Sequence, residues 1–402
     1  MKARCAVILC FNAHPTPRQQ NLFRLFREMG WRPAYVTWDR SGAATLATLD
    51  NGEHLAVIRL AAPTESARLL FAMPQYWNRV AAVLSEVVTE EEIPPVIVAT
   101  HFFHLRLARR FSTAVWLYDA AEYFSLSLSA YFGTLSLLVR PFLYGMEGLG
   151  IRRMRAVLGV DSRLGWFERY LRRFNKRVKI VPNVPSREDD PTSEQVACFA
   201  TEYAGRPVIC YVGGIMERKG LEVTFAALKL LKRKVPDFLL LLIGTFVGES
   251  SQLEEELRTN EMEECVSVVN SLPYKDMIKR ITAADVGLAL YQRHPLYERV
   301  GKLNARKIFA YMQAGLCIIA PRFGEIGQAV PETDCGFLVD ADNPADIAVA
   351  LERLLLDDNL RARLKTNSRR AFEERYNWEA VARELKPWLL ECCVGFSGRE
   401  KS

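Results

Sequence analysis

Short apolar runs recur along the whole chain and alternate with stretches of helical period. In the first half they are AVILCF, AYVTW, LAVIRL, PVIVAT, TAVWLYD and RAVLGV; in the second, PVICYV, FLLLLIG, CVSVV, DVGLAL, LCIIA and GFLV. Near-continuous apolar runs are what strands buried on both faces need, and their alternation with helices predicts right-handed βαβ units in parallel sheets. Two doubly wound sheets follow, and 402 residues give room for two domains of ordinary size. Three prolines and a polar run in PNVPSREDDPTSEQVA, Pro182 to Ala197, end the strand VKIV, and no apolar period resumes before Val208. The expected organisation is a Rossmann-like domain over residues 1–185, a linker over 186–206 and a second Rossmann-like domain over 207–383. A C-terminal helix and tail, 384–402, would be able to return to the first domain. PADIAVALERLLLDD places Ile347, Ala350, Leu351, Leu354 and Leu355 on one helix face.

Half of the residues are apolar and a quarter are charged, the composition of a soluble globular protein and not of a disordered one. The nine cysteines lie mostly inside apolar runs without C-x-x-C spacing, and read as small core hydrophobes in a reducing cytoplasm. The opening MKARCAVILCFNAHP has too short an apolar run for a spanning helix and no signal-like cleavage site, so it reads as a first strand.

In a doubly wound fold the carboxyl ends of the strands face the ligand crevice, so the turns after strands are where chemistry is expected. The strand VICYV runs into GGIMERKG and then into a helix striped by Leu221, Phe225, Leu228 and Leu231. Gly213 and Gly214 let a ligand approach the backbone, and the helix start offers N–H groups with partial positive charge. Arg218 and Lys219 add full charges. Such a turn can hold a diphosphate, and a tight turn with solvated basic residues fits the same pattern. No His, Asp or Glu spacing suits a metal site, so neither a metal nor a cofactor beyond a co-substrate is expected.

YVGGIMERKGLEVTFAALKLLKRKVPDFLLLLIG resembles the segment of family 4 glycosyltransferases in which a Gly-rich strand end, a Lys-Gly pair, an amphipathic helix and a second strand follow in order. Further on, ADVGLALYQRHPLYERVGKLNARKIFAYMQAG and the GFLV strand resemble that family's donor-site region, and YNWEAVA its closing helix. The similarity runs from Pro207 to about Trp388, with the first half alike only in outline. It implies a GT-B fold: two Rossmann-like α/β domains with a cleft between them. It also implies a retaining glycosyltransferase that moves a sugar from a UDP- or GDP-sugar to a glycan or lipid-linked acceptor in polysaccharide or glycoconjugate biosynthesis. By the same resemblance Lys219 and Lys307 would hold the donor diphosphate, Gly244 and Tyr274 would border the base, and Gly324 and Glu325 in RFGEIG would meet the sugar. Arg293 belongs to the same donor region.

Two positions depart from the family pattern. Ala310 stands where a glutamate usually accepts hydrogen bonds from the donor ribose, a loss of about 1.5–3 kcal/mol for one charged hydrogen bond. Glu298 or Glu325 would have to compensate. In LYDAAEYF the D-x-H-E signature reads Asp119, Ala120, Ala121, Glu122, without its histidine. His101 or His104, after the strand PVIVAT, would supply a polar group there, and Asp119 and Glu122 would orient the acceptor hydroxyl or cap the following helix. These departures leave a second reading open, a non-catalytic GT-B protein acting as a binding or scaffold partner.

The net charge of +6 is uneven, because Arg152 to Lys179 holds ten basic and two acidic side chains. Directly before it, Tyr123 to Leu149 carries only Arg140 and Glu147 as charges. Two readings of 123–179 stay open: a segment lying on an anionic membrane surface at the inner face of the cell membrane, or a core helix pair followed by a solvated basic face. No nucleic-acid motif accompanies the basic stretch, so nucleic acid is not an expected partner.

Overall fold

A computed structural model describes residues 3–41, 54–62, 69–130, 135–203, 205–214, 221–245, 257–258, 262–295 and 297–394. The chain forms two compact units. Unit 1 comprises residues 1–160, 165–181 and 381–402, and unit 2 comprises 161–164 and 182–380.

Unit 1 is built on seven parallel strands: β1 (Cys5–Leu9), β2 (Arg32–Asp39), β3 (His54–Arg59), β4 (Val96–Ala99), β5 (Val115–Ala120), β6 (Ala156–Gly159) and β7 (Val178–Ile180), in the order β3-β2-β1-β4-β5-β6-β7. The reversal beside β1 makes it doubly wound, with all pairs parallel. Unit 2 carries six: β8 (Val208–Val212), β9 (Leu239–Ile243), β10 (Val266–Val269), β11 (Val286–Leu288), β12 (Cys317–Pro321) and β13 (Gly336–Val339), in the order β10-β9-β8-β11-β12-β13. The central strands are buried throughout, which is why their sequences are apolar without alternation. Every strand expected from the apolar runs is present.

The helices follow local signals. α1 (Pro17–Glu28) opens with a capping box in which Thr16 and Gln19 each bond the other's backbone N–H, and with proline at its first position. In unit 2 the helix Pro344–Leu356 buries Ile347, Ala350, Leu351, Leu354 and Leu355 against the sheet, with Asn343 as its cap. The segment expected to be a linker holds a helix, Ser193–Glu202, opened by a second capping box between Thr192 and Gln195. None of its residues is fully buried, so it carries no apolar period to announce it. The last helix, Trp378–Val394, passes from unit 2 to unit 1 at Val381. There Arg4 and Arg155 donate to the carbonyls of Cys393 and Cys392 at 2.6 and 2.8 Å, and Lys386 donates to Glu28 O at 3.1 Å. All nine cysteines are free thiols; Cys198 is the exposed one.

One ion pair ties α1 to the middle of its sheet. Asp119, at the end of β5, is fully buried, and Arg18 meets both of its oxygens, with Nε at 2.9 and 3.1 Å and Nη2 at 2.8 Å. Arg18 also donates to Val181 O at 2.8 Å. A second buried carboxylate, Glu147, accepts from Tyr118 at 2.7 Å, from Tyr170 at 3.1 Å and from Ser125. Burial raises its pKa above the usual carboxylate range, and the three hydroxyl donors oppose that shift.

Arg18→Met alone leaves the Asp119 carboxylate buried without its cation, and is expected to lower stability by about 3–5 kcal/mol. Arg18→Met with Asp119→Leu removes both charges and is expected to cost clearly less. Urea unfolding measures both, and equal losses in the single and double variants would refute the pairing.

Candidate donor site and acceptor-side turns

β8 leads into Gly213, whose φ of +106° suits glycine. An added Cβ at Gly213 would sit 3.3 Å from Lys307 Cε. Gly244, after β9, is crowded more severely, since a Cβ there would fall 1.8 Å from Gly213 O. The two glycines therefore allow the turns after β8 and β9 to touch, and Gly213 N donates to Ile243 O at 2.8 Å. Tyr211 closes the same turn by donating to Gly214 O at 3.1 Å. Arg218 and Lys219 lie outside the described residues.

Lys307 comes to this turn on the first helical turn of Arg306–Ala314. Its Nζ sits 3.6 Å above the Tyr211 ring and 5.3 Å from that of Tyr291, where the π-electrons of two aromatic faces stabilise a cation. Tyr311, one turn on, fixes the helix: its hydroxyl accepts from Val212 N at 3.1 Å and donates to Leu288 O at 3.0 Å. Its ring fills the space over Gly287, where a Cβ would come within 2.4 Å. Lys307 itself is only 9 % exposed, so its charge lies in a medium of lower dielectric than water.

From Lys307 the contacts continue toward the turn after β12. Tyr291 packs on Tyr297 at 4.9 Å, and Glu298 backbone atoms lie 3.8 Å from the position a Gly324 Cβ would take. Arg293 lies 3.8 Å from Glu298 and 5.6 Å from the Phe323 ring centroid. Glu325 accepts from Leu164 N at 3.0 Å. The structure thus brings Gly213, Gly214, Gly244, Lys307, Arg293, Gly324 and Glu325 along one edge of unit 2, at the carboxyl ends of β8, β9, β11 and β12. Tyr274 is directed elsewhere: its hydroxyl donates to Gln313 Oε1 at 2.8 Å. Gln313 is six residues past Lys307, about 9 Å along a helix, so the contact that places Tyr274 is not with the glycine turn. Tyr211, Tyr291 and Tyr311 are site residues that the sequence reading missed. The aromatic residue two positions before Gly213 was the available signal.

In unit 1 the turns after the neighbouring strands β4 and β5 hold the expected acceptor-side residues. His101 stacks on Phe11 with centroids 3.9 Å apart and planes 9° from parallel. Its Nδ1 accepts from Phe103 N at 3.3 Å. Burial, then His104 and Arg40, push its pKa well below the usual histidine value, so the ring is neutral at neutral pH. It lies 4.3 Å from Phe124, two residues past the exposed Glu122. Asp119 does not join them. Its carboxylate is taken up by Arg18 inside the unit, which corrects the expectation that it orients an acceptor hydroxyl. His104 is likewise structural: it is buried against Tyr76 OH at 2.7 Å, and burial pushes its pKa down to about 3. Among the described residues no group of three or more His, Cys, Asp or Glu side chains is placed to hold a metal ion.

The family-model match contains Lys307, and the solved structures align over nearly the whole chain. The curated relatives include spore coat protein SA of Bacillus subtilis (strain 168), 26 % identical over 188 residues, 45 % of this chain and 48 % of that protein. D-inositol 3-phosphate glycosyltransferase of Corynebacterium kroppenstedtii is 26 % identical over 216 residues, 51 % of this chain and 46 % of that protein. The chain thus spans about half the length of the curated relatives it matches. Among solved structures, sucrose-phosphate synthase from Thermosynechococcus elongatus aligns over 98 % of this chain and 100 % of that one, with a TM-score of 0.73 and 19 % identity. Anabaena HepE in complex with UDP and glucose aligns over 96 % and 100 %, with a TM-score of 0.68 and 14 % identity. The fold is GT-B, two Rossmann-like parallel-sheet domains, and residues 199–371 match the family described as Glycosyl transferases group 1.

Proposed function

We propose that the chain is a retaining glycosyltransferase of the hexosyl type, moving a sugar from a UDP- or GDP-sugar to a glycan or lipid-linked acceptor in polysaccharide or glycoconjugate biosynthesis. Its expected place is the cytoplasm, at the inner face of the cell membrane. The observation that carries the reading is the Lys307 ammonium beside Gly213, at a strand end inside the segment matching the family model. As the sugar leaves the diphosphate, negative charge grows on the phosphate oxygens. A fixed cation in a partly dry site stabilises that charge more than water does. Lys219 and Arg218, which follow Gly214 in the sequence, are proposed to add to it, and the backbone of Gly213 and Gly214 to let the diphosphate approach. Gly244 is assigned to the base side of the donor, and Tyr274, which bonds Gln313 away from the glycine turn, is left out of that assignment. Arg293, Gly324 and Glu325 are assigned to the sugar.

On the acceptor side, Glu122 and His101 are the proposed groups. With Nδ1 accepting from Phe103 N–H, the neutral imidazole carries its proton on Nε2 and can donate to a sugar oxygen. No covalent nucleophile is needed when the acceptor hydroxyl attacks on the face the diphosphate leaves. The cations supply the countercharge, so no metal or further cofactor is part of the proposal. Ala310 favours a second reading, a binding or scaffold protein without turnover: it is only 4 % exposed and offers no carboxylate to a donor ribose. Consumption of a nucleotide-sugar separates the two readings.

UDP or GDP is expected to raise the melting temperature, with stabilisation of about 2.7 kcal/mol at a hundredfold excess over Kd. No shift with either nucleotide would overturn the donor-site reading. Lys307→Met, which keeps the apolar stem, is expected to weaken that nucleotide about 10- to 100-fold, the worth of a charged hydrogen bond. Gly244→Ala forces its Cβ onto Gly213 O, so calorimetry should show stability and nucleotide binding lost together. Retention of full affinity would show that the turn is not the site.

A further inference from the structure

The helix Ser136–Ile151 has apolar residues on two sides. Inward, Leu143 and Ile151 are buried beside Glu147 and its hydroxyl donors. Outward, Leu138, Phe142, Met146 and Leu149 are exposed, Leu138 at 77 % and Phe142 at 67 %. Steps of four, four and three residues put these four on one stripe. A contiguous solvated stripe of large apolar side chains on a folded surface marks a place that something covers.

The stripe runs into cations at its C-terminal end. Arg153 Nη1 donates to Leu149 O at 2.7 Å, and Arg152 lies 5.5 Å from the Phe174 ring centroid. The loop after Arg172 is pinned to the same end. Phe174 lies against Gly148, where a Cβ would come within 2.4 Å of its ring, and Asn175 Nδ2 donates to the carbonyls of Ile151 and Met154 at 3.2 and 2.7 Å. The exposed Arg173, Lys176 and Arg177 flank those anchors in the chain, so part of the basic run, Arg152 and Arg153 with these three, lies toward one end of the apolar stripe.

We propose that this face docks unit 1 on an anionic lipid surface. The helix lies in the plane of the interface, Leu138, Phe142, Met146 and Leu149 enter the headgroup boundary, and the arginines meet lipid phosphates. At 16 residues it falls short of the ~20 needed to span a bilayer, and among the described residues no helix is long and apolar enough to cross one. Charge decides the occupant: an anionic surface supplies counter-charge beside an apolar layer, whereas a second copy of the face brings the same cations. The inference deepens the proposed function by making the acceptor a lipid-linked one reached from that surface, and rests on that reading for the acceptor alone.

Co-sedimentation of the full chain with phosphatidylcholine vesicles, with and without phosphatidylglycerol, tests it. Binding is expected only to the anionic vesicles and to fall as salt rises. Leu138→Gln with Phe142→Gln should weaken it at least about tenfold, and Arg152→Gln with Arg153→Gln on the order of thirtyfold, from about 1 kcal/mol per charge. Both pairs are solvent-exposed, so the melting temperature and its shift with nucleotide should be kept, which separates failure of docking from failure of the donor site. Absence of binding overturns the proposal, as does binding that neither pair weakens. Self-association that the Leu138 and Phe142 changes abolish also overturns it, by naming a second copy as the occupant.

Discussion

The placement of one ammonium group organises unit 2. Lys307 is held over two tyrosine rings and against a glycine that has no side chain to displace it. That arrangement needs Gly213 at positive φ, Gly244 in contact with its carbonyl, and Tyr311 bonding its helix to the ends of β8 and β11. Each is a steric or hydrogen-bonding condition on the same few ångströms of backbone. Together they keep a charge in a site that water would otherwise weaken, which is the electrostatic preorganisation a departing diphosphate requires.

Unit 1 uses its buried charges differently. Arg18 and Asp119 neutralise each other between α1 and β5, and Glu147 is satisfied by hydroxyl groups from three segments. These groups hold helices to the sheet, whereas Glu122 and His101 lie at the turn edges after β5 and β4. Burial, with His104 and Arg40 beside it, keeps that imidazole uncharged, and its stacking on Phe11 orients it.

The sheets were legible because strands buried on both faces must be apolar at nearly every position, and no other element of that length needs to be. The helix Ser193–Glu202 was not, since it buries no residue fully and only its Thr192–Gln195 capping box marks it. Gly213 and Gly214 were legible from the turn after the strand VICYV, whereas Lys307, Gly244 and Gly324 were reached through family resemblance. Tyr211 and Tyr291 were not, because a tyrosine at a strand end reads first as core. Asp119 was misread because its partner is 101 residues away, beyond any local pattern. For Ser136–Ile151 the sequence left a surface-lying and a core reading open, because a helix apolar on both sides does not say which side is buried, and only the packing shows which side is left over.

A crystal structure with UDP tests the central claim most directly. The account predicts the diphosphate against the backbone of Gly213 and Gly214, with Lys307 Nζ about 3 Å from a phosphate oxygen. A nucleotide bound elsewhere, or a Lys307 that stays over Tyr211 with no phosphate in reach, would contradict it.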